Sequence, residues 1–291
     1  MKRILITGAS GMLGSNLAVA LSTKYKVFGT GSSKTLLPFN YKVFDLSNKS
    51  YNELIDWSKP ELIIHCAAIT DVNYCQQNSL DAFTINGFST EKLISSTDKN
   101  VKIIYISTDA IFPSNIHMAK EGDYKSPTNI YGKSKELGEY FLLNSNRESI
   151  IIRTTIVGSN KYSEKKGFVK WILSSSKGKK TISLFDDVQF TPISVWDFIF
   201  ELDFLIDQNS YETKVFHIAG SEVCSKYEFG MELFKKLSLN TRYLKKGYIK
   251  AYKDRANRSN DQTLNSSFYE KKYNRKLPKL LDTIESIKKN I

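Results

Sequence analysis

The sequence predicts a doubly wound α/β domain with a parallel sheet, followed by a smaller mixed α/β region. Three observations carry this. Short apolar runs rich in Ile, Leu and Val recur through the first half without alternating with polar residues, as strands buried on both faces do. Segments of helical periodicity lie between them. A glycine-rich turn joins the first run to the first helical segment.

Taken in order, Lys2 to Thr7 reads as a buried strand, and Met12, Leu13, Leu17, Ala18, Ala20 and Leu21 repeat at helical spacing over 12–23. Tyr25 to Thr30 and Tyr41 to Asp45 form the next two strands, and Tyr51 to Trp57 a short helix. Glu61 to Ala67 is an unbroken apolar strand. A helix over 79–97 leads to the strand Val101 to Ser107. A loop with Pro113 and Pro127 precedes a helix from Tyr131 to Leu143 and the strand Ser149 to Arg153. Alternation of this kind defines the doubly wound class. Beyond residue 155 the pattern loosens: a Lys/Ser/Gly stretch at 174–180, a helix over 195–207, a strand Val215 to Ile218, and a helix Ser225 to Leu237. Residues 1–155 are therefore expected to form the cofactor domain, with 190–218 returning to it. Residues 156–189 and 219–291 form the substrate region. No internal repeat or low-complexity linker interrupts the chain.

Composition narrows the classes further. The 291 residues are 41% hydrophobic, with 17 Phe, 16 Tyr and 3 Trp, too rich in aromatics for a disordered chain. The apolar run after Met1-Lys2-Arg3 is too short for a signal peptide, and no stretch approaches the roughly 18 apolar residues of a membrane span. A cytoplasmic protein without membrane or nucleic-acid partners is the expectation. Cys66, Cys75 and Cys224 form no CxxC pair, which fits a reducing compartment. The net charge of +12 is uneven: residues 1–234 hold 26 basic and 25 acidic side chains, residues 235–291 hold 16 and 5. Such an excess marks either a surface that receives an anionic ligand or a lysine-rich solvated face.

Thr7-Gly8-Ala9-Ser10-Gly11-Met12-Leu13-Gly14 follows the first strand and opens the first helix. Glycines at 8, 11 and 14 suit a tight turn, close approach to a pyrophosphate, and helix-on-strand packing at the positive end of a helix. Ser10, Met12 and Leu13 share that loop. An NAD site usually places a carboxylate at the end of the second strand, but none occurs between Lys24 and Asp45. Ser32, Ser33 and Lys34 suit a 2′-phosphate instead. NADPH is expected in preference to NADH, which is not excluded. Asp45 and Leu46 are placed to meet the adenine edge.

Tyr131-Gly132-Lys133-Ser134-Lys135 puts Tyr131 and Lys135 on one helical face. A tyrosine near its reference pKa of about 10 is a poor acid or base at neutral pH without a nearby cation, and Lys135 is the candidate cation. Ser107-Thr108 supplies a hydroxyl at the carboxyl edge of the sheet, where ligands of such sheets bind. YxxxK alone is common by chance. Its order behind the glycine loop and the strand-end hydroxyl is not.

With these motifs the chain resembles the extended short-chain dehydrogenase/reductase superfamily, and within it the dTDP-4-dehydrorhamnose reductase-like group. The matching stretches are TGASGMLG (7–14), IIHCAAITDVNYC (63–75), AFTIN (82–86), YISTDAIF (105–112), SPTNIYGKSKELGE (126–139), IIRT (151–154), TPISVWDF (191–198) and FHIAGSEVCSKYEF (216–229). The resemblance implies NADPH-dependent reduction of a 4-keto-6-deoxy nucleotide sugar. Tyr131 would be the general acid. Lys135 would lower its pKa and hold the nicotinamide ribose, and Thr108 would hydrogen-bond the substrate carbonyl. Gly8, Gly11 and Gly14 would hold the pyrophosphate, while Ala67 and Ala68 line the cofactor path. Thr70 and Asp71 begin a loop that borders the sugar, and Asn86 orders the central strands. Asp109, Ile111, Phe112, Asn129, Arg153 and Arg258 complete the expected substrate contacts, with Thr154 beside the sugar pocket. Lys250, Lys253 and Arg255 lie in the segment that borders the diphosphate.

Some positions discriminate among relatives. Sugar-nucleotide dehydratases have a glutamate two residues after the threonine, where this chain has Ala110, which argues against dehydration. Rhamnose-pathway reductases have a tryptophan where this chain has Ile156, Val-Asp-Lys where it has Val72-Asn73-Tyr74, and Arg-Pro where it has Arg258-Ser259. The nucleotide and the sugar therefore stay open. Another sugar-nucleotide dehydrogenase or epimerase, or a non-catalytic NADP-binding regulatory subunit, is the alternative. No metal-ligand set carries over, and a homodimer is left open. His65, His117 and His217 are scattered and read as core or surface residues, the cysteines as core fillers, and Lys177 to Lys180 as a solvated loop.

Overall fold

A computed structural model describes residues 1–34, 37–160, 167–208, 214–251 and 256–291. Fourteen strands occur among them: β1 Arg3–Thr7, β2 Lys26–Gly31, β3 Asn40–Val43, β4 Leu62–His65, β5 Lys102–Thr108, β6 Ser149–Thr154, β7 Ile156–Val157, β8 Ile182–Phe185, β9 Gln189–Phe190, β10 Ile193–Ser194, β11 Lys214–His217, β12 Cys224–Ser225, β13 Leu244–Gly247 and β14 Asp261–Gln262. The helices are α1 Met12–Leu21, α2 Asn52–Ser58, α3 Val72–Gln77, α4 Ser79–Phe83, α5 Ser89–Ser95, α6 Ile130–Leu143, α7 Phe168–Lys177, α8 Val195–Ile206, α9 Lys226–Lys236, α10 Ser267–Tyr273 and α11 Leu280–Asn290.

Seven strands form one sheet in the order β11-β6-β5-β4-β1-β2-β3, parallel throughout. The apolar runs are its centre: Ile4, Ile6, Leu62, Ile64, Ile104 and Ile152 bury on one face against α1 and α8, while Leu5, Ile63, Ile103, Tyr105 and Ile151 bury on the other. Covering both faces is what a parallel sheet requires, because its strands carry apolar side chains on each side. The order reverses between β1 and β4, so the crevice at their carboxyl ends is the expected ligand position. Smaller pairings of β8 with β13, β7 with β10, and β12-β9-β14 build the second region around Phe190, Phe229, Leu233, Phe234 and Ile284.

Two elements differ from the sequence reading. The helix expected over 79–97 consists of α4, a π-helical turn over Thr84–Phe88, and α5. The Lys/Ser/Gly stretch at 174–180 is helical as far as Lys177, since Val169, Ile172 and Ser175 of α7 are buried on the second core. Among the described residues no helix is long and apolar enough to cross a membrane.

Candidate active site

The turn from β1 to α1 is shaped by close backbone approach. Gly8 has φ +70°, and a Cβ there would lie 2.7 Å from Ala67 Cα; a Cβ on Gly14 would lie 2.3 Å from the Gly8 oxygen. Helix α1 starts after Gly11 with no side-chain cap. Its first N–H groups are thus left for an outside acceptor, the arrangement that receives phosphate at a helix N-terminus. The residues present fit a dinucleotide pyrophosphate. Asn160 Nδ2 donates to the Ser10 oxygen at 3.1 Å and Asn16 Nδ2 to the Ser159 oxygen at 3.0 Å, so the chain after β7 clamps this loop. At the end of β2, Ser32, Ser33 and Lys34 are exposed, and the Tyr41 hydroxyl donates to the Ser33 oxygen at 2.7 Å. Asp45 is exposed, but Leu46 is packed in the core with Phe44 and Tyr51, so of that pair only Asp45 presents its side chain at the edge.

A cleft of about 270 Å³ opens at the carboxyl end of β5, lined by Thr108, Asp109, Asn129 and Tyr131 from the sheet side, and by Ile156, Lys226, Arg258 and Gln262 from the other. Three features aim Tyr131 into it. Asn129 caps α6 by accepting from Gly132 N at 2.9 Å, and its Nδ2 donates to the Asn257 oxygen. Gly132 sits so close to the Ala110 oxygen that a Cβ would lie 2.3 Å from it, so the start of α6 presses on the turn after Thr108. Glu139, fully buried one helical stretch later, accepts from Ser107 Oγ at 2.5 Å and from Arg153 Nε and Nη2 at 3.0 and 2.8 Å. These bonds fix the rotation of α6 against β5 and β6.

Asn86, in the π-turn, accepts from Ile69 N and donates to the Ile69 oxygen and Ser134 Oγ. It ties the loop after β4 to α6. Thr108 Oγ1 donates to Asp109 Oδ1 at 2.8 Å and lines the cleft with Tyr131. Burial raises the Tyr131 phenol above its usual value, Thr108 opposes that rise, and the Asp109 carboxylate adds to it. The phenol is therefore protonated at neutral pH, the form a proton donor needs. Burial draws the Lys135 ammonium down to about 7, with Glu139 opposing. Its Nζ lies 3.9 Å from the centroid of the Tyr105 ring. Lys135 is not among the groups that shift the Tyr131 phenol in this arrangement.

Several expected contacts are placed elsewhere. Ile111 and Phe112 are core residues packed with Ala119, Ala219 and Leu264, so they do not line the cleft. Arg153 is engaged by Glu139, by the Glu121 oxygen at 3.0 Å, and by the face of Phe112; it supports the cleft from beneath. Thr70 and Asp71 are exposed, Asp71 capping α3 through Asn73 N and Tyr74 N, and Val72 is the residue that reaches the wall. Ala67 is buried and Ala68 half-buried beside the glycine loop. Lys250 is exposed, and Lys253 and Arg255 lie outside the described residues. Lys226, which the sequence reading did not single out, lines the cleft from the first turn of α9, behind the capping box of Ser225 and Glu228. His65 is bonded to Thr7 and Ser89 and His217 to the Ala119 oxygen, both buried. A larger hollow of about 410 Å³ between α1 and α8 is lined by Val19, Trp196 and Phe200 and lies away from Tyr131.

Comparison with known proteins agrees with this geometry. The family model described as RmlD substrate binding domain matches residues 1–290. A dTDP-4-dehydrorhamnose reductase of Aggregatibacter actinomycetemcomitans is 30% identical over 247 residues, 80% of this chain and 79% of that protein. The spore coat polysaccharide biosynthesis protein SpsK of Bacillus subtilis is 28% identical over 251 residues, 84% and 82% of the two chains. The crystal structure of dTDP-4-dehydrorhamnose reductase from Bacillus anthracis in complex with NADP superposes with a TM-score of 0.87 at 25% identity over 100% of both chains. The match over nearly all of its length places the chain in the RmlD substrate binding domain family.

Proposed function

We propose that the protein is an NADPH-dependent reductase of a 4-keto-6-deoxy nucleotide sugar, with Tyr131 as the general acid. The observation that carries the reading is the cleft itself: Thr108 and Tyr131 stand together at the carboxyl end of β5, beside a glycine loop fitted to a pyrophosphate. The bound nicotinamide would supply the hydride. Tyr131 would give its proton to the keto oxygen, and Thr108 would hold that oxygen once its hydroxyl turns from Asp109. Positioning and electrostatic support of the developing alkoxide carry most of the acceleration. Residues 1–155 with 190–218 would form the cofactor unit, a division supported by the pairing of β11 with β6. Residues 156–189 and 219–291 would supply the sugar-nucleotide wall, including Ile156, Lys226 and Arg258.

Tyr131→Phe tests the assignment. Loss of a general acid costs about 10² to 10⁴ in kcat, with NADPH binding retained; a Phe variant of wild-type turnover would remove Tyr131 from the mechanism.

A further inference from the structure

One cation in the cleft has no hydrogen-bond acceptor in the protein. Lys226, the first residue of α9, is half-buried and lines the wall across from the sheet. Its Nζ lies 3.3 Å from the centroid of Phe190 and 5.6 Å from that of Phe168, and among the described residues it makes neither a hydrogen bond nor an ion pair. Burial lowers Lys226 to about 8, which leaves it an ammonium at neutral pH. An ammonium has three protons to donate, and burying a charge without acceptors is unfavourable unless a ligand brings one. Other polar groups of the cleft are in the same condition. The Thr154 and Thr155 hydroxyls have no hydrogen-bond partner, although Thr154 is only 6% exposed. The Gln262 side-chain amide makes no hydrogen bond among the described residues. Asp109, the carboxylate of the cleft, already accepts from Thr108.

We propose that Lys226 is a specificity-determining residue that donates to the sugar hydroxyl beside the keto carbon, with the Gln262 amide oxygen accepting from that hydroxyl. The proposal rests on the reductase reading, in which the keto oxygen meets Thr108 and Tyr131. The cleft of about 270 Å³ has room for one sugar ring, so groups on its other wall meet the ring positions that flank the keto carbon. In a 4-keto-6-deoxy sugar these two positions differ: C3 carries a hydroxyl and C5 a methyl. Val72 and Ile156 suit the methyl. Lys226 and Gln262 suit the hydroxyl, which has a proton to give and lone pairs to receive. The Phe190 ring face holds the ammonium at the wall, and the capping box of Ser225 and Glu228 fixes the turn that carries it. A site built to bond a hydroxyl rejects the analogue that lacks it, because its buried polar groups are then left unpaired.

The test compares kcat/KM of the full chain, with NADPH, on a 4-keto-6-deoxy sugar nucleotide and on its 3-deoxy analogue. Wild type should prefer the hydroxylated sugar by roughly 10- to 100-fold, the range for a hydrogen bond to a charged group. Lys226→Met should remove most of that preference. Equal kcat/KM on the two sugars in the wild type would overturn the proposal, and this measurement stands even where the variant does not fold. A preference that survives Lys226→Met would overturn it as well. If both sugars then lose alike, and affinity for the free nucleoside diphosphate falls with them, the ammonium serves the diphosphate instead. A wild type that oxidises NADPH with neither sugar would overturn the reductase reading and the proposal with it.

Discussion

Arg153 and Glu139 show how a single buried pair positions a site it does not touch. Glu139 is 0% exposed, and Arg153 supplies two of its hydrogen bonds. Arg153→Met would leave the buried carboxylate with only Ser107 and the more distant Lys125, 3.6 Å away, at a cost of about 3 kcal/mol of stability, the lower end for breaking a buried pair. Urea unfolding measures it, and a loss below about 1 kcal/mol would contradict the assigned role. His65 and His217 act on stability through pH. Burial holds both near 3, against an unfolded value of about 6.5. Below pH 6.5 the unfolded chain binds protons that the folded chain refuses, so their contribution is present above 6.5 and is lost as pH falls toward 3. The raised carboxyls of Asp109, Glu121 and Asp197 work in the opposite sense. A comparison with His65→Gln therefore isolates the histidine. From pH 7.5 to 5.5 the wild type should lose about 1 kcal/mol more than the variant, and equal losses would contradict the neutral, buried His65.

At the scale of elements, the β1–α1 turn makes the sharpest prediction. Gly14→Ala places a methyl 2.3 Å from the Gly8 oxygen, so α1 must move from the loop; overpacking of this kind costs about 1–3 kcal/mol. NADPH affinity should fall with it, as titration of nucleotide fluorescence would read. The end of β2 predicts a higher kcat/KM with NADPH than with NADH, because Ser32, Ser33 and Lys34 stand exposed with no carboxylate between Lys24 and Asp45; equal or better kinetics with NADH would contradict it. The strands of the main sheet were legible because a parallel sheet demands continuous apolar runs, and the runs of β1, β4, β5 and β6 supply them. The short strands β7, β9, β10, β12 and β14 each have two residues, too few for any periodicity. Helix α7 was hidden by Ser174-Ser175-Ser176 at its end, and its pattern shows only once Val169 and Ile172 have a core to face.

For the whole molecule, the proposed catalytic trio of Thr108, Tyr131 and Lys135 was readable because one helix and one strand end carry it, whereas Lys226 came to the cleft by tertiary packing that no local pattern announces. Of the positions where the sequence departs from the rhamnose-pathway pattern, Ile156 and Ser259 line the cleft, whereas Asn73 and Tyr74 do not. Ile156 and Ser259 put the sugar or nucleotide in question. The +12 charge fits the same picture in part. Arg258 and Lys226 reach the cleft, while Lys235, Lys236, Lys246 and Lys289 are tied to carboxylates on the surface, where such pairs contribute little. Most of the excess is solvated face. The measurement that bears most directly on the account is NADPH consumption by the purified protein against dTDP-, GDP- and UDP-linked 4-keto-6-deoxy sugars. The account predicts stoichiometric NADPH oxidation with at least one of them, abolished in Tyr131→Phe; no oxidation with any, or oxidation that survives the loss of the phenol, would contradict it.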